Sequence, residues 1–116
     1  MFLPSHTRIY LAVGSTDMRK AINGLSILVE DQLDLDPFSG HLFVFCNRRR
    51  NMIKILYWDR NGFCLWQKRL EKHFFKWPES PDQVVQIDVR QLGWLLEGLD
   101  FTRVNAHGAL QYSTMI

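Results

Sequence analysis

The chain predicts an α+β fold: a mainly antiparallel sheet of about five strands, with a long helix in the N-terminal half and a short helix in the C-terminal half. Three observations carry that expectation. Five short stretches are rich in β-branched and aromatic residues, two others repeat apolar residues at spacings of three and four, and Gly, Asn and Pro clusters separate them. At 116 residues, with 47% hydrophobic, 13% aromatic and 22% charged residues, the sequence fits a single domain spanning 1–116. Its core is expected over about 7–100. Residues 101–116 read as a C-terminal tail, of which 103–116 mix Gly, Ser, Thr and His and are expected to order only against a partner.

The elements follow in order. Residues 7–13 are β-branched and aromatic, and Gly14-Ser15 closes them, which predicts a strand and turn. Over 17–35, Met18, Ile22, Leu25, Val29 and Leu33 share one helical face, with Ser15, Thr16 or Asp17 as the cap and Asp36-Pro37 plus Gly40 as the stop. Residues 41–46 are apolar on both alternating faces, the pattern of a central strand covered on both sides. Asn47-Arg48-Arg49-Arg50-Asn51 then reads as a hairpin tip before a strand over 52–58 that sets Ile53, Ile55 and Tyr57 against Met52, Lys54, Leu56 and Trp58. Asp59-Arg60-Asn61-Gly62 predicts a tight turn with Gly62 left-handed, and a third strand over 63–70 completes a meander. Trp58 and Trp66 are expected in the core. After Pro78 and Pro81, Val84, Val85 and Ile87 predict a short strand. Asp88 and Gln91 form a variant capping box for a helix carrying Leu92, Leu95, Leu96 and Leu99, ended by Gly98.

No apolar run is long enough for a membrane span, and the first residues lack the features of a secretory leader, so a soluble cytoplasmic protein is expected. Cys46 and Cys64 show no metal or disulfide spacing and read as reduced core thiols. His6, His41, His73 and His107 are scattered, and no Gly-x-Ser-x-Gly is present, so no nucleophilic triad is proposed. Asp17, Asp59 and Asp88 could serve a metal-dependent nuclease, but each also sits where a helix cap or turn wants an acid. Gly14-Ser15-Thr16 is too short for a phosphate loop. The chain is therefore read as a non-enzyme with no cofactor and no metal. The start of the first helix, beside Arg19 and Lys20, is a weaker candidate anion site.

The charge distribution carries the functional reading. Residues 1–46 hold three bases and five acids, and 78–116 hold two bases and five acids. Residues 47–77 carry nine bases, Arg48, Arg49, Arg50, Lys54, Arg60, Lys68, Arg69, Lys72 and Lys76, against only Asp59 and Glu71. Such segregation makes a local positive field suited to nucleic acid, although the same charges also serve as ordinary solvated edge residues. Aromatic residues interleave with these bases, which suits stacking on unpaired bases. Phe74, Phe75 and Trp77 precede a proline and are expected to form an exposed apolar patch for a protein partner.

The runs Gly14-Ser15-Thr16-Asp17-Met18-Arg19-Lys20, Asp36-Pro37-Phe38-Ser39-Gly40-His41-Leu42-Phe43-Val44-Phe45, Asn47-Arg48-Arg49-Arg50, Lys54-Ile55-Leu56-Tyr57-Trp58-Asp59, Lys68-Arg69-Leu70-Glu71 and Trp77-Pro78 resemble the TnpB accessory proteins of IS66-type bacterial insertion sequences. The resemblance covers roughly residues 8–100. It implies a small protein encoded beside a separate transposase and needed for efficient movement of the element, with no catalytic residues to carry over. Resemblance and charge together predict a transposition accessory factor contacting DNA, either insertion-sequence ends or DNA of any sequence, or the transposase–DNA complex. The alternatives are an adaptor that binds the transposase through Phe74, Phe75 and Trp77, and a module for single-stranded RNA. A homo-oligomer is compatible with all of them.

Overall fold

The structure, a computed structural model, describes residues 6–102. In chain order the elements are β1 (Ile9–Ser15), α1 (Ile22–Asp31), β2 (Leu42–Cys46), β3 (Met52–Asp59), β4 (Gly62–Arg69), β5 (Val84–Ile87) and α2 (Val89–Leu96). The strands form one sheet in the order β4-β3-β2-β1-β5. β2, β3 and β4 make the expected antiparallel meander, and β5 pairs antiparallel with β1. The β1–β2 pair is parallel, with α1 in the crossover between them.

All five residues of β2 are buried, as its two-sided apolar pattern requires, so each face of the sheet needs its own cover. One face packs Phe43, Phe45 and Leu56 under Leu25, Val29 and Leu33 of the α1 segment. The other packs Leu42, Val44, Ile53 and Ile55 under Leu92 and Leu95 of α2, together with Phe75, Trp77 and Phe101. Trp58 is only half-buried, and Trp66 is 37% exposed on an edge strand, so neither fills the centre of the core as the sequence predicted.

The first helix is short, not long: it has 10 residues, although the apolar periodicity runs over 17–35. Both ends are overridden by competing backbone bonds. Thr16 N–H donates to Cys46 O at 2.8 Å, Lys20 N–H donates to Asp17 O at 3.1 Å, and the helix is entered at Ala21 without a side-chain cap. Asp17 does not cap the helix; its carboxylate instead accepts from the backbone and guanidinium of Arg19. At the far end Asp34 takes a left-handed φ of 56°. Met18, Leu33 and Leu35 still join the layer, so the periodicity reported burial on one face and not the length of the helix.

α2 matches its local signals. Asp88 Oδ1 accepts from Gln91 N–H at 2.7 Å, and Gln91 Oε1 accepts from Asp88 N–H at 2.9 Å, which closes the reciprocal box. Gly98 follows at a left-handed φ of 84°. In the β3–β4 turn the left-handed residue is Arg60, at φ 54°, and not Gly62, which is already paired with Asp59 in the ladder.

Replacing Asp88 with Ala is expected to cost about 1 kcal/mol in urea unfolding, the usual worth of an N-cap side chain. A second expectation concerns pH. Arg8 N–H donates to His41 Nδ1 at 2.9 Å, and burial, followed by the charges of Arg8 and His6, lowers the His41 pKa from 6.5. The unfolded chain then takes up the proton more readily, so this contribution is complete above 6.5 and is lost as pH falls through the folded value. The urea midpoint should drop between pH 7.5 and 5, and His41→Gln should flatten that dependence.

Candidate nucleic-acid interface

The β2–β3 hairpin ends in a five-residue tip, 47–51, held by the side chains that flank its arginines. Asn47 Oδ1 accepts from Asn51 N–H and Met52 N–H, each at 3.0 Å, and Asn47 Nδ2 donates to Asn51 Oδ1 at 2.7 Å. Asparagine is suited to this because its amide mimics a backbone turn. The tip is thus a fixed platform, with Arg48 and Arg49 exposed upon it.

Arg50 has a different task. It adopts a left-handed φ of 62°, a conformation that costs a non-glycine residue about 1–2 kcal/mol. In return its carbonyl accepts from Phe75 N–H at 2.7 Å, and its guanidinium lies 5.9 Å from the Trp77 ring centre. The segment after β4 is drawn in by these contacts. Leu70 N–H donates to Asn51 O at 2.8 Å, and the Trp77 indole N–H donates to Val13 O at 2.9 Å and Ala12 O at 3.2 Å. The exposed patch expected of Phe74, Phe75 and Trp77 is therefore corrected: Phe75 and Trp77 are 2% and 9% exposed in the core, and only Phe74, at 57%, faces outward. An indole whose N–H finds buried carbonyls is more stable inside than as a surface anchor.

The folding back has a second consequence. Lys72 and Lys76, both exposed, are carried to the same end of the sheet as Arg48 and Arg49, and Arg69 ends β4 opposite Met52 at that end. Glu71 Oε2 accepts from Arg69 Nε at 3.1 Å, an exposed pair worth little in water. Glu97 lines a shallow depression with Lys72, His73, Phe74 and Lys76. Across the sheet, Lys54 Nζ binds the carbonyls just before α1, which sets Arg19 and Lys20 near the tip on the α1 face. Arg19 is engaged by Asp17, whose pKa the guanidinium and backbone N–H of Arg19 lower to about 2.

Besides Arg50, three more of the nine predicted bases stand apart from this cluster. Lys54 is 8% exposed, and its ammonium donates to Met18 O at 2.8 Å and Lys20 O at 3.0 Å, fixing the entry to α1. Lys68 Nζ donates to Leu96 O at 2.9 Å, satisfying a carbonyl at the C-terminus of α2, where a cation also suits the helix dipole. Both are internal ties, so the strip of charge expected along the strands does not form at these two positions. Arg60 sits in the opposite hairpin, a full strand length or about 25 Å away.

That opposite end carries an arrangement the sequence did not flag. The rings of Phe38, Trp58 and Phe63 lie 5.0–5.2 Å apart, and Phe38 remains 56% exposed. The signal available was weak: Phe38 lay in a turn and the others in strands, and only the β3–β4 register together with the 36–40 turn joins them. Among the described residues no cluster of three or more His, Cys, Asp and Glu side chains is placed to hold a metal ion, and no helix is long and apolar enough to cross a membrane. Both cysteines are free, Cys46 buried and Cys64 half-buried, and burial raises the Cys46 pKa despite the hydrogen bond from Arg50.

Comparison with known proteins gives a consistent result. A family model described as IS66 Orf2 like protein matches residues 7–106. Two relatives from Sinorhizobium fredii (strain NBRC 101917 / NGR234) carry the names "Uncharacterized protein y4hO" and "Uncharacterized protein y4jC". The first is 39% identical over 101 residues, covering 85% of this chain and 88% of the relative; the second is 37% identical over 97 residues, covering 84% and 83%. No solved structure matches the chain significantly.

The division of the bases into internal ties and exposed charges is testable by stability. Lys54→Met leaves two carbonyls without their donor and should cost about 1–3 kcal/mol. Arg48→Ala should change stability by less than about 0.5 kcal/mol. Urea unfolding of the two variants checks the contrast.

Proposed function

The chain belongs to the IS66 Orf2-like family, and from that membership we propose that it serves transposition as a non-catalytic accessory protein that contacts DNA through the cationic end of its sheet. The observation that supports this reading most is the convergence of Arg48, Arg49, Arg69, Lys72 and Lys76, from two separate chain segments, around one rigid hairpin tip. A polyanion meeting that end encounters guanidinium and ammonium groups whose supporting backbone is already fixed, so little ordering accompanies contact.

The contact is one of phosphates and shape. α2 has only 8 residues and is tied to the sheet by Leu92 and Leu95, and among the described residues no helix rich in Arg, Asn and Gln projects as a groove reader. Both insertion-sequence ends and unrelated duplexes are then substrates for the same surface, with discrimination supplied by the transposase. RNA is less favoured, because Trp58 is packed by Phe38 and Phe63 and Trp77 is buried, which leaves few rings free to stack beside the bases.

A second reading rests on the cluster of exposed Phe38 with half-buried Trp58 and Phe63, which is far from the cationic end and is an aromatic surface suited to a protein partner. It makes the protein an adaptor on the transposase. Retention of the element's transposase in nuclease-treated extract, lost in Phe38→Ala and kept in Arg48→Ala/Arg49→Ala, would favour it.

For the leading reading, fluorescence anisotropy with duplex DNA over a salt series is the test. Five phosphate contacts give a log–log slope near −4.5, and removing Arg48 and Arg49 should flatten it by about 2 while weakening binding to all sequences alike. A folded double variant with unchanged affinity and slope contradicts the proposal.

A further inference from the structure

We propose that the outer edge of β4 is a self-association surface, on which a second copy of this chain pairs antiparallel to make a continuous ten-stranded sheet. β4 is an edge strand of 8 residues, and among the described residues no backbone group pairs with its outer side. The other edge, β5, has only 4 residues.

Natural sheets protect long edges with charge, proline or a covering element. Here residues 62–67 contain no charge and no proline. Of the two cations that end the strand, Lys68 is tied to Leu96 O and Arg69 stands at its last position. Neither covering layer overhangs the edge, since Trp66 on the α2 face and Gln67 on the α1 face are both exposed.

The hydrogen-bond phase of the edge follows from the ladder. Leu70 N–H donates to Asn51 O, so the even-numbered positions of β4 turn their backbone groups toward β3. Phe63, Leu65, Gln67 and Arg69 therefore turn theirs outward.

Self-pairing also fits the side chains. A two-fold axis normal to the sheet at Trp66 keeps like faces continuous across the junction. It sets Trp66 beside the partner's Trp66, Leu65 opposite the partner's Gln67, Cys64 opposite the partner's Lys68 and Phe63 opposite the partner's Arg69. From Phe63 to Arg69 no two like charges oppose one another, and the cationic half of each edge meets the uncharged half of the other. Set against its own sequence in this register the strand places each base opposite an uncharged residue, which is why a second copy is the occupant.

The test uses the full chain. Gln67→Pro removes one outward N–H and leaves the β3 ladder intact, because position 67 faces away from β3. Gln67→Thr changes the same side chain and keeps the N–H. Light scattering after size exclusion at about 100 μM should give twice the 13.7 kDa chain mass for the native protein and for Gln67→Thr, and the single mass for Gln67→Pro. Trp66→Lys, which sets two ammonium groups together at the axis, should also reduce the mass to that of one chain and guards against misfolding of the proline variant. A native protein that is monomeric at this concentration overturns the proposal, whether the edge is covered by the chain's own terminus or by another protein. Dimers of native mass in folded Gln67→Pro and Trp66→Lys overturn it equally.

Discussion

The complete burial of β2 is the constraint from which most of the architecture follows. A strand apolar on both sides cannot lie at a solvent-facing surface, so the chain must supply a layer above it and another below it. α1 is one layer. α2 alone is too short to be the other, and the segment after β4 completes it with Phe75 and Trp77. That requirement draws Lys72 and Lys76, neighbours in sequence of the buried aromatics, to the end of the sheet where Arg48 and Arg49 already stand. The concentration of positive charge is thus a by-product of how the second face is covered, which links the packing of the core to the chemistry of the surface.

The features legible in the sequence were those whose cause is local. The β2–β3–β4 meander could be read because alternation, an Asn-bracketed arginine tip and an Asp-Arg-Asn-Gly turn agree with one another. The second helix could be read because Asp88 and Gln91 close a box within four residues. The parallel β1–β2 pairing, the late start of α1 and the burial of Trp77 were not legible, since each depends on a partner 30 or more residues distant: Cys46 O for Thr16, Lys54 for Met18 and Lys20, Val13 O for Trp77. Arg60 adopting the left-handed conformation beside an available glycine shows the same limit at short range.

Charge counting met that limit too. Composition identified the 47–77 segment as cationic, but only the fold separates cations that hold the molecule together from cations that face solvent. Lys54 and Lys68 spend their hydrogen bonds on helix-end carbonyls, and Arg50 on a ring and a loop. The candidate surface is smaller than the sequence implied and also more sharply placed, at one end of the sheet instead of along it. Membership of an insertion-sequence family gives that surface a biological setting, and the opposite end, with its three exposed or half-buried rings, offers a physically different one.

The proposed DNA contact lies at one end of the sheet, and locating it is the most direct test. Titration of a short duplex into isotopically labelled protein, followed by backbone amide NMR, should perturb residues 47–51 and 69–76 together and leave Phe38, Arg60 and the C-terminal half of α1 unchanged. Perturbations centred on the Phe38, Trp58 and Phe63 end, or no perturbation at low salt, would contradict it.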